Sequence, residues 1–69
     1  MNLTINGTLQ AIEAPTETLP IPELLIALGL AGQPALVELN GDALLQKELA
    51  SHSVKDGDTL EIVRMVAGG

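Results

Sequence analysis

The 69 residues carry a net charge of −6, with nine acidic against three basic side chains, and include no cysteine, phenylalanine, tyrosine or tryptophan. Those absences exclude disulfides, thiolate metal centres, a cysteine nucleophile and aromatic platforms for bases or sugars, and the acidity argues against binding nucleic-acid phosphates. A single domain of this length buries only about 60% of the surface its unfolded chain exposes, so a deep pocket lined by its own residues is not expected.

Residues 1–6 alternate, with Leu3 and Ile5 on one face and Asn2 and Thr4 on the other, as in a half-buried strand. Asn6-Gly7 is a two-residue hairpin signal, because a type I′ turn needs positive φ at both central positions. The return strand is expected from Thr8 to about Glu13. There Leu9 and Ala11 share a face and Ile12 does not. Residues 14–20 read as loop. Ile21, Leu24, Leu25 and Leu28 then form one helical stripe. Pro22 and Glu23 suit the first turn, Gly29 suits the position just past the last, and Leu30 can fold back onto Leu24 or Leu25. Pro20, near the N-cap, has no side-chain oxygen for capping, so the helix start is placed only to within about a residue.

Residues 31–34 connect to a third strand at 35–40, with Val37 and Leu39 inward and Leu36 and Glu38 outward. A second Asn-Gly, at Asn40-Gly41, marks another turn. A very short strand at 43–45 and a helical turn within 46–53 follow. Asp56-Gly57-Asp58 reads as a tight turn into a last strand at 59–66. Leu60 and Ile62 continue the core face, Val63 and Met65 point outward, and Arg64 falls on the inward set close enough to the sheet's end to reach solvent. The expected class is α+β: a mixed sheet of four to five strands packed on one short helix.

Few residues invite catalytic chemistry. His52 lies between Ser51 and Ser53, but no acid is placed to orient it and sequence neighbours in a strand do not face each other, so a solvated loop histidine is expected. Asp56 and Asp58 lack the spacing and the closing glutamate of an EF-hand, and no metal ligand set is expected. There is no Gly-x-x-x-x-Gly-Lys-Ser/Thr motif for ATP. No apolar stretch approaches the roughly 20 residues of a membrane span, and no basic-then-apolar leader opens the sequence. With the absence of cysteine, this fits the cytoplasm.

The sequence closes on Val66-Ala67-Gly68-Gly69. Glycine has no Cβ, so such a tail can thread a narrow channel and present its carboxylate to a nucleotide phosphate; a loose chain end would read the same way. Val63 and Met65 lie just before it, beside Leu36 and Glu38 if the third and last long strands pair. That apolar pair is either a docking patch or scattered surface hydrophobes.

The element order and this ending resemble the ubiquitin-like β-grasp sulfur carriers, most closely the ThiS family of thiamin biosynthesis. The resemblance runs through Asn6-Gly7, Glu23-Leu24-Leu25, Val37-Glu38-Leu39-Asn40-Gly41, Asp56-Gly57-Asp58, Leu60-Glu61-Ile62-Val63 and Val66-Ala67-Gly68-Gly69. It implies a β-grasp domain over residues 1–66 and a flexible reactive tail over 67–69. It also implies that the chain is no enzyme and binds no cofactor. A ThiF-type activating enzyme would use ATP to adenylate Gly69, and sulfur from a persulfide donor would then displace AMP. The resulting thiocarboxylate would serve a ThiG-type thiazole synthase. Gly68 and Gly69 are the reactive residues under this reading, and Leu36, Glu38, Val63, Arg64, Met65, Val66 and Ala67 are the partner-binding candidates. With no cysteine, any covalent link to the activating enzyme would run through Gly69 as an acyl-persulfide.

The family pattern often has a Pro-Arg pair and an aromatic after the third-strand turn, where this chain reads Leu44-Leu45-Gln46-Lys47-Glu48-Leu49. Contacts there are expected to differ. Three alternatives stay open: a small subunit of molybdopterin synthase, usually longer with aromatics near the tail; a ubiquitin-like modifier of lysines; and a binding module with an inert tail.

Overall fold

The computed structural model describes residues 1–65. Its elements in chain order are β1 (Asn2–Ile5), β2 (Thr8–Ala11), β3 (Thr18–Pro20), α1 (Ile21–Ala27), β4 (Ala35–Leu39), β5 (Asp42–Leu44), a 3₁₀ helix (Gln46–Ser51), β6 (Ser53–Lys55) and β7 (Thr59–Arg64). Five strands form one sheet in the order β2-β1-β7-β4-β5. β1 and β7 run parallel, and the remaining neighbours are antiparallel. The expected mixed sheet on one short helix is therefore present. A second two-stranded sheet, β3-β6, was not expected.

The core follows the alternation in the sequence. Leu3, Ile5, Val37, Leu60 and Ile62 point inward from the sheet and meet Ile21, Leu24 and Leu25 of α1. Leu19 and Val54, one from each strand of the small sheet, and Leu49 of the 3₁₀ helix complete the packing. On β2, Leu9 is exposed, while Ile12, beyond the strand's end, packs against the core. The return strand thus stops at Ala11 rather than near Glu13.

Residues 14–20 are not all loop. Thr18–Pro20 pairs with Ser53–Lys55, placing Leu19 opposite Val54. Three residues with one buried side chain are too short for periodicity to reveal. This small sheet also explains how α1 starts without a capping side chain. The first four amide positions are Pro20, Ile21, Pro22 and Glu23; the two prolines have no N–H to satisfy. Ile21 donates to the His52 carbonyl at 3.0 Å. At the other end, Gly29 has φ +76°. Leu30 N–H bonds the Leu25 carbonyl at 2.8 Å and Gly29 N–H bonds the Ile26 carbonyl at 3.0 Å. This is the paired bonding of a Schellman cap, with Leu30 packed on the core as expected.

Both Asn-Gly turns have the predicted geometry, with φ of 51° and 82° at Asn6-Gly7 and 49° and 89° at Asn40-Gly41. The short strand after the second turn begins one residue earlier than expected, at Asp42. β7 ends at Arg64; Val66, expected in that strand, lies outside the described residues.

Candidate functional site

The end of β7 and the sheet face away from α1 hold Leu36, Glu38, Val63, Arg64 and Met65 of the sequence-predicted partner residues. Antiparallel pairing with β4 sets Leu36 opposite Val63 and Glu38 opposite Glu61. The expected adjacency of Leu36 and Val63 is therefore present. Leu36 is 54% exposed, Val63 56% and Met65 44%. Large aliphatic side chains this exposed, next to one another across a strand pair, form a patch rather than isolated residues.

Leu45 extends this patch, a residue that the sequence reading did not single out. The register Val37↔Leu44 places the next position of that chain across from Leu36. Leu45 has extended backbone, φ −72° and ψ 153°, and is 60% exposed. The signal was available: the Ala43, Leu45 alternation continues the outward face. The Gln46 carboxamide donates to the Ala35 carbonyl and ties this stretch to β4.

The flank of the patch is acidic. Glu38 and Glu61 share the outward face as a like-charge cross-strand pair. Such a pair costs a little stability in isolation and is relieved by a cation brought from outside. Arg64 is exposed, as expected near the sheet's end, and its guanidinium donates to the Gln33 side chain at 3.2 Å. Met65 N–H donates to the Pro34 carbonyl at 2.9 Å.

Asparagine side chains hold β7 in place on both edges. Asn6 donates to the Ile62 carbonyl at 3.0 Å and accepts from its N–H at 2.7 Å. Asn40 accepts from Thr59 N–H at 2.9 Å and donates to Asp58 at 3.1 Å. Asp58 is buried, at 5% exposure. Burial pushes its carboxyl pKa up, but hydrogen bonds from the Lys55 ammonium, the Asn40 amide and the Lys55 backbone outweigh this, and the net shift is below the ordinary 3.8. Asp58 is therefore a structural anchor under β7. Asp56 accepts from Asn2 N–H. These contacts bear out the turn reading of Asp56-Gly57-Asp58. Among the described residues no cluster of acidic or histidine side chains is placed to hold a metal ion.

His52 is half-buried rather than fully solvated, and Ser51 Oγ donates to the Glu48 carbonyl instead of to the histidine. No helix of the described residues is long and apolar enough to cross a membrane. Val66, Ala67, Gly68 and Gly69 lie outside the described residues.

The ThiS family model matches residues 3–69. No curated protein matches the chain. A crystal structure of the thiamine biosynthesis protein ThiS from Geobacter metallireducens is similar at 40% identity and TM-score 0.82, with all of both chains covered. A solution NMR structure of a thiamine biosynthesis protein from Geobacter metallireducens is similar at 40% identity and TM-score 0.79, covering all of this chain and 88% of the other. On a family match that extends from the first strand through Gly69, together with a shared fold at that identity, the chain belongs to the ThiS family.

Proposed function

We propose that the chain is a sulfur carrier for thiamin thiazole synthesis and that Gly69 carries the sulfur. The observation that carries this reading is the family match, which runs through Gly68-Gly69 itself. The names of the similar structures, both thiamine biosynthesis proteins, favour thiazole over pterin delivery.

A carboxylate is a poor acyl donor because its leaving group would be oxide. In the proposed sequence the Gly69 carboxylate attacks the α-phosphorus of ATP bound to a ThiF-type enzyme, and pyrophosphate leaves. The terminal sulfur of a persulfide then attacks the acyl carbon and AMP leaves, giving an acyl-persulfide. A second thiol attacks the donor's own sulfur, forming a disulfide with the donor and freeing the thiocarboxylate, which a ThiG-type thiazole synthase consumes. The chain's own contribution is a tail without side chains and a docking face. Leu36, Leu45, Val63 and Met65 supply apolar area, and Glu38 with Glu61 attracts a basic rim. Met65, in contact with Pro34, connects that face to the tail.

The test is to extend the chain beyond Gly69 with an uncleavable tag. The account expects no loading by an activating enzyme with ATP, because the reacting carboxyl is gone. Loading of the tagged protein, with the tag shown to be intact, would overturn it.

A further inference from the structure

We propose that the free edge of β2 is an interaction surface for a second copy of this chain, the two β2 strands pairing antiparallel about a two-fold axis at Gln10. β2 ends the five-stranded sheet, with β1 on one side and no strand on the other. The register decides which of its backbone groups are spare. Ile12 and Met1 exchange two bonds, at 2.8 and 2.7 Å. Bonded pairs alternate along an antiparallel ladder, so Gln10 with Leu3 and Thr8 with Ile5 are the next ones. Leu9, opposite Thr4, and Ala11, opposite Asn2, fall between them, and their N–H and C=O groups point away from β1. Among the described residues no hydrogen bond uses those groups. Natural edges are usually blunted by lysine, proline, a bulge or a covering element. Thr8-Leu9-Gln10-Ala11 has no charge and no proline, pairs with β1 without a bulge, and leaves Leu9 70% exposed. The opposite edge, β5, is one residue shorter and carries Asp42.

A second copy fits this strip because the strip complements itself. With Gln10 on the axis, Leu9 lies opposite Ala11 of the second copy, and Ala11 opposite its Leu9. Each such pair exchanges two bonds, so every spare donor meets a spare acceptor. Leu9 and Ala11 share the face away from α1, so each Leu9 side chain covers the other copy's Ala11. The same register sets Thr8 opposite Ile12 and Glu13 opposite Gly7. No carboxylate therefore faces another, which matters for a chain of net charge −6. A four-residue edge buries less than about 1,000 Å², so the pair forms reversibly and weakly instead of as a permanent dimer. β1 separates β2 from β7 and β4, so Leu36 and Val63 stay uncovered in both copies. The inference does not depend on the carrier reading.

The test follows the untagged full chain from low micromolar to millimolar concentration by sedimentation, amide chemical shifts and hydrogen exchange. The expected result is a sedimentation coefficient that rises with concentration and shift changes that centre on residues 8–12. The Leu9 and Ala11 amides are expected to exchange at least about twofold slower at the highest concentration, as when half of the chains are paired. Leu9→Glu adds like charge at the line of contact and is expected to weaken association at least about tenfold, with the unfolding midpoint as in wild type. Ala11→Pro removes a spare donor and no bond to β1, and serves if the glutamate variant is unstable. Leu36→Lys, on the outer patch, is expected to associate as wild type does. A chain that stays monomeric at millimolar concentration overturns the proposal. So does a dimer that survives both β2 substitutions unchanged, or one that Leu36→Lys abolishes.

Discussion

Asn6 and Ile62 are 56 residues apart in sequence, yet the Asn6 carboxamide satisfies both backbone groups of Ile62, at 2.7 and 3.0 Å. Its own backbone, at φ 51°, makes the first turn of the β1–β2 hairpin. One residue thus closes a local hairpin and splices the parallel β1–β7 junction beyond the point where β1 departs. On the other side of β7, Asn40 likewise makes the β4–β5 turn, at φ 49°, while its carboxamide accepts from Thr59 N–H and donates to the Asp58 carboxylate.

Asn6→Gly separates the two tasks, because glycine keeps the positive φ and loses the side chain. The expected loss is about 1–3 kcal/mol, two hydrogen bonds at roughly 0.5–1.5 each. Urea unfolding measures it. A variant within a few tenths of wild type would show that the clamp contributes nothing.

Asp58 gives the fold a defined pH response. Its carboxyl has a lowered pKa in the folded protein because the bonds from Lys55 and Asn40 outweigh the cost of burial. The unfolded chain has the ordinary value near 3.8. Stability from this group is therefore complete above the ordinary value and is lost as pH falls through the folded one. Lys55 is largely exposed, so solvent screens its share. Unfolding curves for wild type and Asp58→Asn from neutral pH down into the acid range are expected to converge below the ordinary carboxylate value. A constant difference across that range would contradict the assignment.

Gly29→Ala tests the helix terminator. A Cβ at Gly29 would meet nothing within 4 Å, so the only cost is backbone strain at φ +76°. The expected destabilisation is about 1 kcal/mol, with Gly29→Asn costing less because asparagine tolerates the left-handed region. Equal stability of all three proteins would mean the Schellman cap is not maintained.

Much of this architecture was legible because it rests on local codes. Leu3/Ile5 and Leu60/Ile62 alternate, Ile21/Leu24/Leu25 recur at helical spacing, and Asn-Gly states its turn type outright. What was hidden depends on long-range pairing. β3 and β6 are three residues each and contribute one core side chain apiece, so no period exists to be read. The second role of Asn6 and Asn40 appears only when β7 arrives beside them. For Leu45 the Ala43, Leu45 alternation was there to be read, but its place beside Leu36 in the apolar patch follows only from the β4–β5 register. The outward face of Leu36, Glu38, Val63 and Met65 was legible because strand alternation sets it; that Leu36 lies beside Val63 depended on the β4–β7 pairing, which the structure shows.

The patch predicts a separation of docking from folding. Leu36→Lys replaces an exposed side chain on a solvent-facing position, so stability is expected to stay within about 0.5 kcal/mol. Binding to a ThiF-type enzyme is expected to weaken at least about tenfold, as for a central apolar contact made charged. Calorimetric titration of both proteins decides it. Unchanged affinity would remove the outer face from the interface.

Gly68→Val probes the tail. The domain is expected to fold as wild type, while loading falls by at least about tenfold because a β-branched residue cannot follow the glycine path. Normal loading would refute the narrow-channel argument.

The most direct measurement is the intact mass of the untagged protein before and after incubation with ATP, a ThiF-type enzyme and a persulfide donor. The account predicts an increase equal to replacing one oxygen by one sulfur, mapped to Gly69 and reactive toward a thiol-directed alkylating agent. An unchanged mass, with an activating enzyme that loads another carrier in the same reaction, would contradict it.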